Sequence, residues 1–357
     1  EQFRRDSIEY VQTKEREKEL VKPDSTIKKE QSPLDDFFTA SVQAQDSLAI
    51  TDSLHSGTSQ EQLLTLENNK VRVNISTKGG KMIDAQLKDY KRYDGDSLYL
   101  FNKDGDFSLL LTNKQGKVLR TSDLIFTPIQ TADKNSLIMR FSYSENQHID
   151  FIYKLADDDY MLKYDISLVG LQPMLNRDKA DIFEIEWSHK MRRQEKSVKN
   201  EQRYSHIYYK YVGGDVKELS SDKNEQVEVK EPTKWIAFKN QFFAPILIAD
   251  GKIETALLDS RVLQTDENSE YLKTCDARIF VPATLDMAAG TMSTGFTYYL
   301  GPMSFSSLKN YDSQIADASQ QLDLDKLVPL GWTLFRWINQ YFVIPIFNLL
   351  SNTGLSM

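Results

Sequence analysis

One cysteine and four histidines in 357 residues leave little material for redox or metal chemistry. Cys275 has no second thiol to pair with, so an intramolecular disulfide is excluded. Its surroundings, "YLKTCDARIFVP", alternate like a strand and predict a buried structural thiol. His55, His148, His189 and His206 are scattered, and no His-x-x-x-His, Cys-x-x-Cys or acidic loop of ligand spacing occurs, so no metal is expected. Glycine-rich phosphate loops and a GxSxG nucleophile elbow are missing as well, and neither cofactor nor catalytic residues are expected. Positive charge is short: 44 Lys and Arg against 52 Asp and Glu give a net charge of -8. They form no long basic stripe, which excludes nucleic acid as a partner. No positively charged start followed by an apolar run, and so no signal peptide, is visible from Glu1 onwards, a start that reads as cut.

What is present is organised in three stretches. Residues 1–60 are rich in Glu, Lys, Gln, Ser and Asp, as in "KEREKELVKPDSTIKKEQS", and bury too little apolar surface to offset the entropy of ordering. They read as a charged linker, or as a solvated helix over Ile8 to Leu20. From 61 to about 305 the period changes to two. In "KVRVNIST" Val71, Val73 and Ile75 alternate with Arg72 and Asn74; in "MLKYDISLVG" Leu162, Tyr164, Ile166 and Leu168 alternate with polar neighbours. Similar runs ("SLYLF", "DFSLLLT", "SLIMRFSYS", "HIDFIYKL", "DIFEIEWS", "KWIAFKN", "APILIAD", "ETALLD", "ARIFVP", "TGFTYYLG") are separated by turns such as "YDGD", "NKDGD" and "VGGD". More than a dozen strands with hardly any helical period between them predict a mainly β, large antiparallel sandwich, because parallel sheets need crossover helices. The 17 Tyr and 18 Phe suit its cross-strand pairs.

After "GPMSFSSLKNYDSQI" the spacing turns helical, with Leu308, Tyr311 and Ile315 in step, followed by "LDLDKLVP". The last stretch, "LGWTLFRWINQYFVIPIFNLLSN", places Leu334, Phe335, Ile338, Tyr341, Phe342, Ile346 and Leu349 at three- and four-residue steps. Arg336 and Pro345 make it a poor membrane span. It reads either as a helix lying in the membrane interface, with Trp332, Trp337 and Tyr341 at headgroup depth, or as a helix capping the sandwich.

Two places invite a chemical reading. "DDDY" at Asp157 to Tyr160 is acidic, but its neighbours form a hairpin and a solvated loop is expected. In "FEIEWSHK", Glu184, Glu186 and His189, with His206, would do general acid and base work on a sugar if they converged. Alternation puts Glu184 and Glu186 together on the face opposite Phe183 and Ile185, where solvated charge explains them equally well. The following "KMRRQEKSVKNEQR" reads as a charged loop or edge, with a protein-contact surface as the minor alternative.

Four segments carry a family resemblance. "STKGGKMIDAQLKDYKRYDGDSLYLF", "KWIAFKNQFFAPILIA", "FTYYLGPMSFSSLKNYD" and the final aromatic stretch resemble, in that order, the periplasmic part of the YidC membrane protein insertases of Gram-negative bacteria, in the style of the Bacteroidetes branch. The resemblance implies a galactose mutarotase-like β-supersandwich over 61–305 and C-terminal helices over 306–357, including an amphipathic interfacial helix at about 330–350. It implies a non-enzymatic periplasmic module of the cell inner membrane, between a transmembrane helix before Glu1 and an insertase core after Met357. The partners it implies are inner membrane lipids, the Sec translocon with its accessory subunits, and nascent membrane proteins. Trp332, Phe335, Arg336, Trp337, Tyr341, Phe342 and Ile346 are the expected membrane-interface residues. The alternative is a carbohydrate-binding or sugar-epimerising sandwich.

Overall fold

The structure, a computed structural model, describes residues 61–176, 181–313, 315, 317, 320–329 and 346. Among these, all strand pairs in three sheets are antiparallel. A four-stranded sheet joins β1 (Leu63–Glu67), β2 (Val71–Ser76), β3 (Met82–Lys91) and β4 (Ser97–Asn102) in sequence. A six-stranded sheet collects β5 (Gly105–Thr112), β6 (Val118–Arg120), β11 (Ile182–Arg192), β14 (Glu225–Val229), β17 (Thr255–Val262) and β18 (Tyr271–Pro282) in the order β14-β17-β18-β11-β5-β6. The ten-stranded sheet takes β7 (Thr127–Gln130), β8 (Ser136–Ser144), β9 (Gln147–Leu155), β10 (Met161–Val169), β12 (His206–Tyr211), β13 (Val216–Glu218), β15 (Thr233–Lys239), β16 (Phe243–Ile253), β19 (Thr284–Asp286) and β20 (Thr291–Pro302). Its order is β13-β12-β15-β16-β20-β10-β9-β8-β7, with β19 beside β20. The antiparallel sandwich predicted from period-two runs is the fold observed.

The alternation explains the core directly. In β10, Leu162, Tyr164, Ile166 and Leu168 are buried while Met161, Lys163, Asp165, Ser167 and Val169 are half-buried. The inner face of the ten-stranded sheet meets the other two. Trp187 of β11 stacks on Phe238 of β15 with centroids 3.9 Å apart, and Phe107 of β5 meets Tyr164 edge-on at 5.3 Å. Such ring pairs add roughly 0.5–1.5 kcal/mol beyond their buried area. Cys275 in β18 is fully buried and its thiol is pushed up by that burial, as an inert structural residue should be.

Strands β15 and β16 break the alternation. Trp235, Ala237, Ile246 and Ile248 point away from the inter-sheet core and are still buried, because the segment after β20 covers them. That segment opens with α2 (Phe305–Asn310), one helical turn shorter than the spacing of Leu308, Tyr311 and Ile315 predicts. A 3-10 turn over Leu324–Leu327 follows.

The run "KMRRQEKSVKNEQR" corrects the expectation of a charged loop. Its first residues finish β11, and Val198–Arg203 form a short helix, α1, capped by Ser197. Arg193, Gln194 and Glu201 are buried there. Outward solvated charge is also corrected at Glu184, which is 4% exposed and takes a 2.7 Å hydrogen bond from Arg278 Nε.

The turn "KGGK" sets the approach of the four-stranded sheet. Gly80 has φ +61, and a Cβ there would stand 2.9 Å from Phe126 Cγ and 3.0 Å from the Phe151 ring. Gly95 has φ +91 but open space around it. Gly80→Ala is therefore expected to destabilise by about 2–4 kcal/mol, combining backbone strain with overpacking, against about 1–2 kcal/mol for Gly95→Ala, from strain alone. Urea unfolding of the two variants tests this; equal losses would mean that the ring contacts do not matter.

Candidate functional site

The most elaborate polar construction outside the sheets fastens the C-terminal segment to the ten-stranded sheet. Leu308, Leu324 and Leu327 join Trp235, Ile246, Ile248 and Tyr299 in one apolar cluster. Trp235 Nε1 donates to Leu322 O at 2.7 Å. The Asp312 carboxylate accepts from Leu322 N at 2.6 Å and from Asp323 N at 2.7 Å, and the Tyr311 hydroxyl donates to Asp159 of the "DDDY" turn. Beneath them Lys210 of β12, 1% exposed, places Nζ 3.3 Å from Asp323 Oδ2 and donates to Tyr211 O and Gly214 O. Asp323 itself sits in the left-handed region at φ 53, a conformation that only a well-anchored non-glycine residue keeps.

Asp312, Asp323 and Asp325 bring carboxylate oxygens within 4.8 Å of one another. Asp323 faces Lys210 and Lys326, and Asp312 caps two backbone amides, so the trio is built into the fastening. Burial, then the neighbouring Asp323 and Asp312, raise the Asp325 carboxyl. Of the expected membrane-interface residues, Trp332, Phe335, Arg336, Trp337, Tyr341 and Phe342 lie outside the described residues; Ile346 is helical and 53% exposed.

The acid–base set does not assemble. Glu184 and Glu186 share the outer face of the six-stranded sheet, where they pair with Arg278 and Arg120. His189, of opposite parity in β11, points into the core, where Nε2 lies 3.0 Å from Leu100 O. His206 is elsewhere, its two ring nitrogens at Leu219 O and Arg203 O. His189 does line a cavity of about 20 Å³ with Met82, Asp106, Tyr153, Tyr164 and Tyr298. That is room for one water, not for a sugar ring.

A second polar knot lies around α1. Glu201 Oε2 accepts from Gln194 N and Glu195 N at 3.0 Å each, and Gln194 Nε2 donates to Tyr99 O at 2.7 Å. Arg193 reaches Glu195 O and Glu267 O and lies 4.4 Å over the Tyr93 ring. The sequence signal for this knot was Ser197 followed by Val198 and Glu201, a capped helical start hidden among charges.

The family model of the YidC periplasmic domain matches residues 63–345. The chain belongs to this family. Membrane protein insertase YidC of Parabacteroides distasonis is 40% identical over 291 residues, covering 81% of this chain and 45% of the relative. That of Porphyromonas gingivalis is 39% identical over 301 residues, with 83% and 47% covered. The chain thus spans about half the length of the curated relatives it matches. Both are Bacteroidetes, in keeping with the resemblance. Among solved structures, a galactose mutarotase related enzyme from Lactobacillus acidophilus is similar at 11% identity and TM-score 0.42, over 67% of this chain and 97% of that one. A galactose mutarotase-like protein from Lactobacillus casei has the same TM-score and identity, over 67% and 100%. Likeness at that level says nothing of ligand or activity. No helix among the described residues of this YidC-family domain is long and apolar enough to cross a membrane.

Two outcomes follow from the buried charges. Asp323→Asn keeps a residue suited to the left-handed backbone but strands Lys210, so a loss of roughly 3 kcal/mol is expected. Faster hydrogen exchange at residues 322–328 than in β10 would locate it; uniform exchange would place the effect elsewhere. The second concerns pH. Burial lowers His189 from its ordinary 6.5 to about 4, so the unfolded chain takes up that proton first and stability falls as pH drops from 6.5 towards 4. Burial raises Glu201 from 4.5 to about 7 against the pull of its amide donors, so here the folded chain takes up the proton first and stability rises as pH drops from 7 to 4.5. The two oppose each other at about 3 kcal/mol each. His189→Gln is expected to gain stability from pH 7 to 5 relative to the parent and Glu201→Gln to lose it, read by urea unfolding. Parallel pH profiles for all three proteins would refute the assignment.

Proposed function

We propose that this chain is the periplasmic module of a membrane protein insertase in the cell inner membrane, binding and positioning without catalysing. The observation that carries this is the extent of the family match. It runs from the first described strand through the fastened segment to residue 345, inside the aromatic stretch, so the sandwich and that stretch belong to one domain family. The relatives are named membrane protein insertases. In this reading residues 1–60 are a linker, 61–305 the sandwich and 306–357 the helical exit towards the bilayer.

Fastening at Lys210, Trp235 and Asp312 gives the positioning a physical basis. It fixes where the chain leaves the sandwich before the aromatic stretch begins. Trp332, Phe335, Trp337, Tyr341, Phe342 and Ile346 then rest among lipid headgroups, with Arg336 reaching phosphates along its alkyl stem. The sandwich is left free to meet the Sec translocon, its accessory subunits and emerging membrane proteins. The acid–base residues that a sugar-processing alternative needs face opposite sides of β11, which favours the non-enzymatic reading.

Co-sedimentation with liposomes of inner-membrane phospholipids tests the lipid contact. The intact chain is expected to bind, and Trp337→Glu with Phe342→Glu to weaken binding while thermal unfolding is unchanged. Should the doubly substituted chain instead unfold and the parent not bind, the aromatic stretch belongs to the domain's own packing and this reading of it fails.

A further inference from the structure

At one end of the sandwich, where β3, β11, β15 and β20 finish, an otherwise acidic molecule shows basic and aromatic groups together. Helix α1 is held from behind: Glu201 takes the amides of Gln194 and Glu195, and Gln202 Nε2 donates to Leu263 O at 3.0 Å and Leu272 O at 2.9 Å. With Val198, Glu201 and Gln202 turned inward, the helical period leaves Lys199 and Arg203 on the outward face. Both are exposed, as is Lys196 before the helix, and none of the three forms an ion pair among the described residues.

The next structure along that face is the β15–β16 turn, joined to α1 by Asn200 Nδ2 donating to Gln241 Oε1 at 3.3 Å. The turn is rigid. Asn240 Oδ1 accepts from Phe242 N and Phe243 N, and Phe242 O accepts from Met303 N at 2.7 Å. Its backbone pinned on both sides, Phe242 still leaves 46% of its surface in water, and Tyr204 at the end of α1 leaves 39%. The acidic loop at Asp266–Glu270 adjoins α1: Arg192 pairs with Glu270, and the Arg193 guanidinium donates to both Glu267 O and Lys196 O, so the patch of cations is bordered by acid at Lys196.

Cations without an ion pair among the described residues, beside exposed aromatic rings, suit anionic phosphate headgroups above an apolar layer. We infer that the α1 and β15–β16 end of the sandwich is a second membrane contact, docking on anionic phospholipid, with Lys196, Lys199 and Arg203 at phosphates and Phe242 and Tyr204 at the headgroup boundary. The inference rests on the periplasmic-module reading for its placement near a bilayer, but not on the aromatic C-terminal stretch for its contact. Two attachments on one fastened body would fix the tilt of the sandwich as well as its height.

The test uses the full chain with vesicles of phosphatidylcholine, with and without phosphatidylglycerol. Lys196→Gln, Lys199→Gln and Arg203→Gln together are expected to weaken binding to the anionic vesicles by about a hundredfold, about fivefold for each charge, and to leave neutral vesicles unaffected. Phe242→Ser, at an exposed position, is expected to weaken binding with its fold intact. The contribution is expected to shrink as salt rises. Trp337→Glu with Phe342→Glu is measured beside them. If only that pair matters, the inference falls and the C-terminal contact stands. If only the basic and Phe242 variants matter, the inference stands and the C-terminal contact falls. Unchanged lipid binding in the triple variant, with loss of crosslinks to membrane proteins, would make this end a protein-docking surface and overturn the inference.

Discussion

Strands β15 and β16 must be covered on both faces, and most of the architecture follows from that. Ile236 and Phe238 face the six-stranded sheet, where Phe238 meets Trp187; Trp235, Ala237, Ile246 and Ile248 face the other way and are just as buried. A sandwich of two layers would leave the second set in water. At about 25 cal/mol per Å² of apolar surface, an indole and two isoleucines alone supply several kcal/mol of drive to recruit a cover. The cover is the chain's own segment after β20.

An apolar cover alone could slide. Register comes from polar contacts with strict geometry: one indole N–H to one carbonyl, one carboxylate to two consecutive amides, one buried ammonium to one carboxylate. Buried ion pairs contribute little net stability because desolvation offsets attraction, yet losing one partner is costly. Lys210 and Asp323 therefore specify where the segment lies more than they hold it down. The knot around Arg193, Gln194 and Glu201 does similar work for the strand ends, tying β4 through Tyr99 to β11 and α1. In both places charges that look like solvated surface in the sequence are buried as brackets between sheets.

Legibility in the sequence followed the strength of the local period. The alternating runs of β2, β8, β9, β10 and β11 were readable because an apolar residue recurs at alternate positions in each. Strand β3 was missed: its apolar alternation at Ile83, Ala85 and Leu87 is short, includes one small residue and ends where the register shifts between Leu87 and Lys91. Strand β12 and α1 were missed because they lie in or beside a run of charge. At Glu184, Glu186 and His189 parity was sufficient to separate the carboxylates from the imidazole, but not to show Glu184 buried, since burial depends on what other segments lie across the sheet.

By itself the sequence determined the class: period-two hydrophobicity, turn glycines and the lack of crossover helices leave antiparallel sheets as the one economical way to bury the apolar side of each strand. Its ordered segments determined the family too, because those strings persist across relatives as strings. Tertiary structure alone decided which apolar runs needed a second cover, that the C-terminal segment provides it, and which charges end as brackets and which as open surface. The reason is range. A strand's period is set by neighbours two residues away, whereas the partner of Lys210 lies more than a hundred residues down the chain at Asp323, at a distance over which no local pattern carries information.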